Sequence, residues 1–386
     1  MPIYMVLSGS VAILVGLGLA RFGYPPLVPG MVEAGWFSAV AAGYLGASNL
    51  LGYLVGALTA SRFGERVGAA TAIRFSLVLI ALSFLLCAWA APFAWFFVWR
   101  FLSGWAGAVL MVVGASTVLT TTPPSRRPMA GAIVFSGVGL GILFAANIVP
   151  WLTTVSVSWA WAAQGVLCLV LAGATWWAWP GRQTPPGFSA ASESAPSRRG
   201  LSLVVMLVVL GYGLQSVGYV PHTLFWVDFL AREQGHGTGF ASVQWSIFAV
   251  GAIIGPFFSG WFAGRIGWYG ALLVSVTLMC GAVLLSSVAE AFLLVSLCSL
   301  VVGAMVPALV SMTSGYLAQQ VPLEQHQRAW GWATTSFALA QAVGGYALAG
   351  VFGVIGTYPP VFVIGGVSLA LGLVVTAVTG SRRARA

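Results

Sequence analysis

Arg21 and Arg100 each stand inside a long apolar run, about seven residues from the same end of the run, which puts both guanidiniums roughly 10 Å below a membrane surface. A cation in hydrocarbon costs several kcal/mol unless it faces protein, water or a ligand. Two at one depth predict a shared polar chamber. No carboxylate stands at that depth: Glu33, Asp228, Glu233 and Glu290 fall near one surface, and Glu65, Glu193 and Glu324 near the other. Arginine grips a carboxylate through two parallel hydrogen bonds, so the pair calls for an anionic small-molecule substrate, an organic carboxylate in first place. The competing assignment is structural, since either arginine can snorkel or pair with helix carbonyls.

Further polar residues sit in the same runs. Tyr24 and Tyr219 lie one turn beyond the arginine level beside Pro26 and Pro221, as gates or as interface aromatics. Asn49, Tyr53, Gln215, Gln244 and Gln341 are candidates to bind substrate, with interhelical hydrogen bonding as the alternative. His222 titrates in the range that proton coupling needs, and an anion bound between it and Arg21 would favour proton uptake; an ordinary interface histidine competes with that role. Gly137, Gly139, Gly141, Gly344 and Gly345 offer small surfaces for close, sliding helix contact.

Enzyme chemistry finds no footing. The sequence has no HExxH, Walker-type or GxSxG motif. His222, His236 and His326 are scattered, and Cys87, Cys168, Cys280 and Cys298 lack thiolate-site spacing. No catalytic residue, metal or cofactor is expected.

The elements that position these residues are membrane spans. The chain has 386 residues, 59% apolar and 6% charged, with mean hydropathy +0.97, whereas soluble domains are about a quarter charged. Apolar runs of bilayer-spanning length fall at about 4–28, 37–60, 67–90, 93–119, 129–150 and 156–179, then 201–226, 240–262, 270–289, 291–317, 329–353 and 357–379. Residues 1–19 lack the basic start of a signal peptide, so the first run is expected to persist as a span.

The net charge is +9, and here it reads as topology rather than as affinity for nucleic acid. With both termini cytoplasmic, the inner loops and tail collect Arg62, Arg66, Arg126, Arg127, Arg182, Arg198, Arg199, Arg265, Arg328, Arg382, Arg383 and Arg385, and the outer loops only Arg232. Residues 181–200, rich in Pro, Ser and Gly, read as a cytoplasmic linker between bundles at 1–180 and 201–386. The two parts echo each other. Gly16, Gly18, Leu19, Gly23, Tyr24 and Pro26 match Gly211, Gly213, Leu214, Gly218, Tyr219 and Pro221 at an offset of 195 (211 less 16). Ala60, Arg62, Phe63 and Gly64 match Ala263, Arg265, Ile266 and Gly267 at 203 (263 less 60). The loop from Asp228 to Gly239, with Arg232, Glu233 and His236, accounts for the added length.

GLGLARFGYPPLVP at Gly16–Pro29, GYLGASNLLGYLVGAL at Gly43–Leu58 and the Arg62–Gly64 loop resemble the major facilitator superfamily, and most of all its bacterial YbfB/YjiJ-like branch. The resemblance implies an all-α membrane protein with twelve transmembrane helices in two pseudo-symmetric six-helix bundles. These rock about a cavity lined by the first, fourth, seventh and tenth spans. It also implies gating loops at Ser61, Arg62, Gly64 and Arg66, and at Arg265 and Gly267. Ala57 and Ser61 replace the signature's glycine and acid, and Gly264 replaces the acid in the second copy, so the usual charge latch lacks its carboxylate twice.

The expected activity is secondary transport of a small organic anion by alternating access, with protons as a possible coupling ion and simple facilitation as the alternative. The expected setting is the bacterial inner membrane, as a monomer in the lipid bilayer. Export of amphipathic compounds, suggested by 17 Trp and 23 Phe, and a sensor that binds without transporting are the competing functions.

Overall fold

The computed structural model describes residues 3–179 and 202–383, together with side chains except at 323–324 and 381–383. The expected linker at 181–200, with Arg182, Glu193, Arg198 and Arg199, lies outside the described residues, as does Arg385.

Everything regular in these residues is helical. In the N-terminal part the helices are α1 (Ile3–Ile13), α2 (Val28–Glu33), α3 (Ala39–Val67), α4 (Ala69–Leu86), α5 (Phe93–Val109), α6 (Ala115–Thr121), α7 (Arg127–Val155) and α8 (Val157–Thr175). In the C-terminal part they are α9 (Leu203–Gly218), α10 (Val220–Leu224), α11 (Trp226–Asp228), α12 (Gly237–Leu285), α13 (Phe292–Ala318), α14 (Leu323–Ile355) and α15 (Pro359–Arg383). Among the described residues nine helices are long and apolar enough to cross a membrane. Outward-facing Trp151, Val166, Val170, Leu293 and Val354 are exposed, which suits lipid contact and no aqueous surface of this extent.

α12 has 49 residues, about 74 Å at 1.5 Å per residue and more than two bilayer cores. It is divided at Gly267, whose φ of 76° and ψ of 159° are non-helical. Gly68, which ends α3, has nearly the same conformation, φ 85° and ψ 144°. These two glycines are therefore the equivalent turns, 199 residues apart (267 less 68). The sequence echo pairs Gly267 with Gly64, one helical turn too early. Gly64 is buried within α3, and Ser61, Arg62 and Arg66 belong to the same helix, so the expected gating loop is helix down to Val67. The slip arises because Gly64 and Gly68 are four residues apart, and composition alone does not say which one leaves the helix.

The 199-residue register recurs in packing. A Cβ on Gly52 would lie 1.9 Å from the Phe101 carbonyl oxygen, and one on Gly104 2.0 Å from that of Asn49, so α3 and α5 touch backbone to backbone. A Cβ on Gly251 would lie 2.5 Å from the Leu300 oxygen, and one on Gly303 2.1 Å from that of Phe248, which joins α12 to α13 in the same way. Small residues let helices approach like this where lipid gives no hydrophobic drive.

The two parts meet along α7 with α12, and α3 with α14. A Cβ on Gly139 would sit 2.7 Å from the Ala249 oxygen, and one on Gly345 2.9 Å from Leu50. Tyr44 stacks on Tyr346 at 6.0 Å, Asn147 donates to Ser246 at 3.1 Å, and Trp245 lies 6.5 Å from Phe22. All of these lie toward the side where residues 34–38 and 356–358 turn, the distal side, opposite the linker side on which residues 179 and 202 stand.

Candidate functional site

A cleft of about 670 Å³, partly continuous with solvent, lies between the two parts. Its wall holds Arg21, Phe22, Tyr53, Tyr219, Ser311 and Phe337, with an apolar remainder that includes Leu17, Met111, Phe135, Val138, Val306 and Val310. Along α3, α7, α12 and α14 the lining positions 53, 135 and 138, 256 and 337 all fall on the linker side of the contacts that join the two parts. The cleft is thus closed distally.

Arg21 reaches this wall because its helix breaks. α1 runs into a wide π turn at Leu14–Leu19, then a turn, then a short 3₁₀ segment at Pro25–Leu27. The expected unbroken span over 4–28 is corrected accordingly. Pro25 and Pro26 have no N–H, so the Arg21 and Phe22 carbonyls four residues earlier lose their helical donors, and the turn over residues 20–23 takes the Ala20 carbonyl out of the helical ladder. An unmet carbonyl in a membrane interior costs several kcal/mol, and here side chains supply the donors. Arg100 Nη1 donates to the Ala20 oxygen at 2.7 Å and Asn49 Nδ2 at 3.3 Å. Trp245 Nε1, from the other part, donates to the Phe22 oxygen at 3.2 Å.

The two arginines consequently do different work, and the expected shared chamber is not observed. Arg100, 1% exposed, lies under the Tyr24 ring at 4.2 Å and is not on the cleft wall. Arg21, 6% exposed, is on the wall, its guanidinium carbon 5.1 Å from the Phe22 centroid and 5.8 Å from that of Tyr53. Its Nε and Nη2 have no hydrogen-bond partner within the protein. Aromatic faces attract a cation only weakly compared with a charge-assisted hydrogen bond. Those two nitrogens, buried in this conformation, form the guanidinium edge whose geometry matches the two oxygens of a carboxylate.

Tyr219 joins the wall from the C-terminal part, with Arg21 and Gln341 as its polar neighbours; Gln341 is buried, and its Nε2 is without a partner. Tyr53 also lines the cleft. The remaining predicted residues are spent on packing. Tyr24 donates to the Ala42 oxygen at 2.8 Å and is buried against Trp161. Asn49 bridges Ala20, Arg100 and Ser103. Gln215 donates to Thr376, and Gln244 joins Ser296 and Ser299. His222 is enclosed by Trp226 at 4.6 Å, Phe362 at 5.2 Å and the Ser286 hydroxyl at 3.1 Å, and it is not on the cleft wall beside Arg21. Distally, buried Asp228 pairs with Arg232 and accepts from the Tyr358 hydroxyl.

Phe22, Ser311 and Phe337 on the cleft wall, and Trp245 in the distal contact, were absent from the expectation. Phe22 carried a signal, since it adjoins Arg21 and precedes a double proline; one tryptophan among 17 carried none.

Residues 13–377 match the family described as uncharacterised MFS-type transporter YbfB. A gentisate transporter of Corynebacterium glutamicum is 28% identical over 167 residues, 41% of this chain and 37% of that protein. A gallate transporter of Pseudomonas putida is 24% identical over 297 residues, 68% of this chain and 65% of that protein. The matched region thus spans roughly a third to two thirds of these relatives' length. The nucleoside transporter NupG, in the crystal structure of a point mutant, superposes with a TM-score of 0.75 over 97% of this chain and 99% of its own at 12% identity, a likeness of fold alone.

Proposed function

The chain belongs to the family of the MFS-type transporter YbfB, and on that premise we propose that it carries a small aromatic carboxylate across the bacterial cytoplasmic membrane by alternating access. The observation that carries this is Arg21, a buried cation on the cleft wall with two unpartnered nitrogens and an aromatic ring on either side. A carboxylate would take the guanidinium, and its ring would lie among Phe22, Tyr53, Tyr219 and Phe337. Gentisate and gallate, carried by the relatives named above, are both ring carboxylates with hydroxyl groups. With Arg21 the one charged group among the described residues of an otherwise apolar and hydroxyl-bearing wall, a second carboxylate would be left desolvated and unpaired. Monoanions are therefore preferred to dianions.

The wider arrangement in this proposal is twelve crossings in two six-helix bundles, 1–180 and 201–386, with both termini and residues 181–200 in the cytoplasm. The excess of arginine on the linker side supports that orientation. A cleft closed distally then corresponds to the inward-facing member of the transport cycle.

Uptake of radiolabelled benzoate, gentisate, phthalate and benzyl alcohol into proteoliposomes tests it. Benzoate and gentisate should enter and compete with each other, with phthalate and benzyl alcohol at least about tenfold poorer. Flux confined to the neutral alcohol or to cations would sink the proposal.

A further inference from the structure

Trp245 is the one side chain of the C-terminal part that donates a hydrogen bond to the broken segment carrying Arg21, among the hydrogen bonds described. Its acceptor, the Phe22 oxygen, is the carbonyl that Pro26 deprives of a helical donor, so no alternative within its own helix competes for it. The Phe22 ring meets the Trp245 ring at 6.5 Å and the Phe248 ring at 6.3 Å, and those two stack at 4.5 Å. Trp245 is fully buried in the distal contact zone, one residue from the Asn147–Ser246 hydrogen bond and four from Ala249, which Gly139 approaches. Phe22 also lines the cleft, with the Arg21 guanidinium carbon 5.1 Å from its ring centroid.

We infer that the Trp245 indole N–H acts as a positioning latch: it closes the distal side by capping the Phe22 carbonyl, and it is coupled to the anion site because Phe22 adjoins Arg21 on one broken segment. This rests on Arg21 as the anion-binding residue. When the two parts separate distally, the Phe22 oxygen and the indole N–H lose each other and face the opened vestibule. An anion that draws Arg21 into a fixed place also fixes the next residue's carbonyl, which is the acceptor the latch needs. Closure and anion binding then favour each other by linkage. The coupling runs through a single peptide unit and needs no long pathway.

The test uses the full chain in vesicles, with the four buried cysteines replaced by alanine and a reporter Ala349→Cys. Ala349 is fully buried and sits 3.2 Å from where a Cβ on Gly43 would lie, so its labelling by a membrane-impermeant maleimide reports distal opening. Trp245→Phe removes the N–H and keeps a ring. Replacement of Trp245 by 3-benzothienylalanine, with sulfur for N–H at nearly the same shape, serves if the phenylalanine variant folds poorly. The parent should label slowly, and more slowly still with benzoate. Both variants should label at least about fivefold faster and lose most of the benzoate protection, with KM for benzoate raised more than the maximal rate is lowered. Unchanged labelling in both variants, or full benzoate protection in them, overturns the latch. If the variants label faster but benzoate never protects even the parent, gating by Trp245 stands, while its coupling and the anion site at Arg21 fall.

Discussion

At equivalent positions the two parts carry opposite chemistry, and at the first of them the backbone differs too, since Arg21 stands on a turn and Ser216 inside α9. The 195-residue register pairs Arg21 with Ser216 and Tyr24 with Tyr219, and the 199-residue register pairs Arg100 with Ser299. Ser216 donates to the Gly213 and Phe337 oxygens, and Ser299 accepts from the Trp226 indole. Both serines are self-contained packing groups. Their N-terminal counterparts are a cation under a tyrosine and a cation on the cleft wall. The tyrosines exchange roles too, Tyr24 being packed away over Arg100 while Tyr219 faces the cleft. The two parts share their glycine seams and differ in these polar residues, with charge at the N-terminal positions and neutral hydrogen-bonding groups at the C-terminal ones.

The sharpest way to break that comparison is Arg21→Gln. Uptake kcat/KM for benzoate should fall at least about 100-fold, about 2.7 kcal/mol of lost stabilisation, whereas Ser216→Ala should change it less than about twofold. Equal effects at the two positions would remove the asymmetry. Next come the seams, which should respond alike. Gly104→Val and Gly303→Val each force a side chain into a carbonyl at 2.0 and 2.1 Å, at a cost of about 1–3 kcal/mol. Thermal unfolding in detergent should show comparable falls in Tm, and a large fall in only one would contradict the shared register.

Arg100→Met should lower Tm by the equivalent of about 1–3 kcal/mol, because the buried Ala20 oxygen loses its shorter hydrogen bond. It should also raise KM by loosening the segment that holds Arg21. Ser299→Ala, which leaves Trp226 Nε1 without its acceptor, should affect Tm and leave KM alone; a KM effect there would blur the division of labour. The smallest contrast is between the tyrosines. Tyr219→Phe should raise KM about three- to fivefold at unchanged Tm, and Tyr24→Phe should do the reverse, lowering Tm by losing its bond to the Ala42 oxygen. Identical behaviour of the pair would show that burial does not separate their roles.

The membrane class, the family and most of the helix positions were legible in the sequence, because hydrocarbon thickness sets run length and each turn must be polar or glycine-rich. Gly139 and Gly345 were also recognisable as contact surfaces, since a missing side chain means close approach wherever the partner stands. That Arg21 and Arg100 had to find partners followed from their depth alone. Which partner each found did not follow. The choice between a helix carbonyl and an open cleft depends on where Pro25 and Pro26 bend the chain, and on which neighbouring helix brings Asn49 or Trp245 to the orphaned oxygens. In the same way, nothing local separates Tyr24 from Tyr219, or Gly64 from Gly68. A buried polar group is satisfied by whatever donor or acceptor the assembled helices place beside it, and that placement is a property of the tertiary structure.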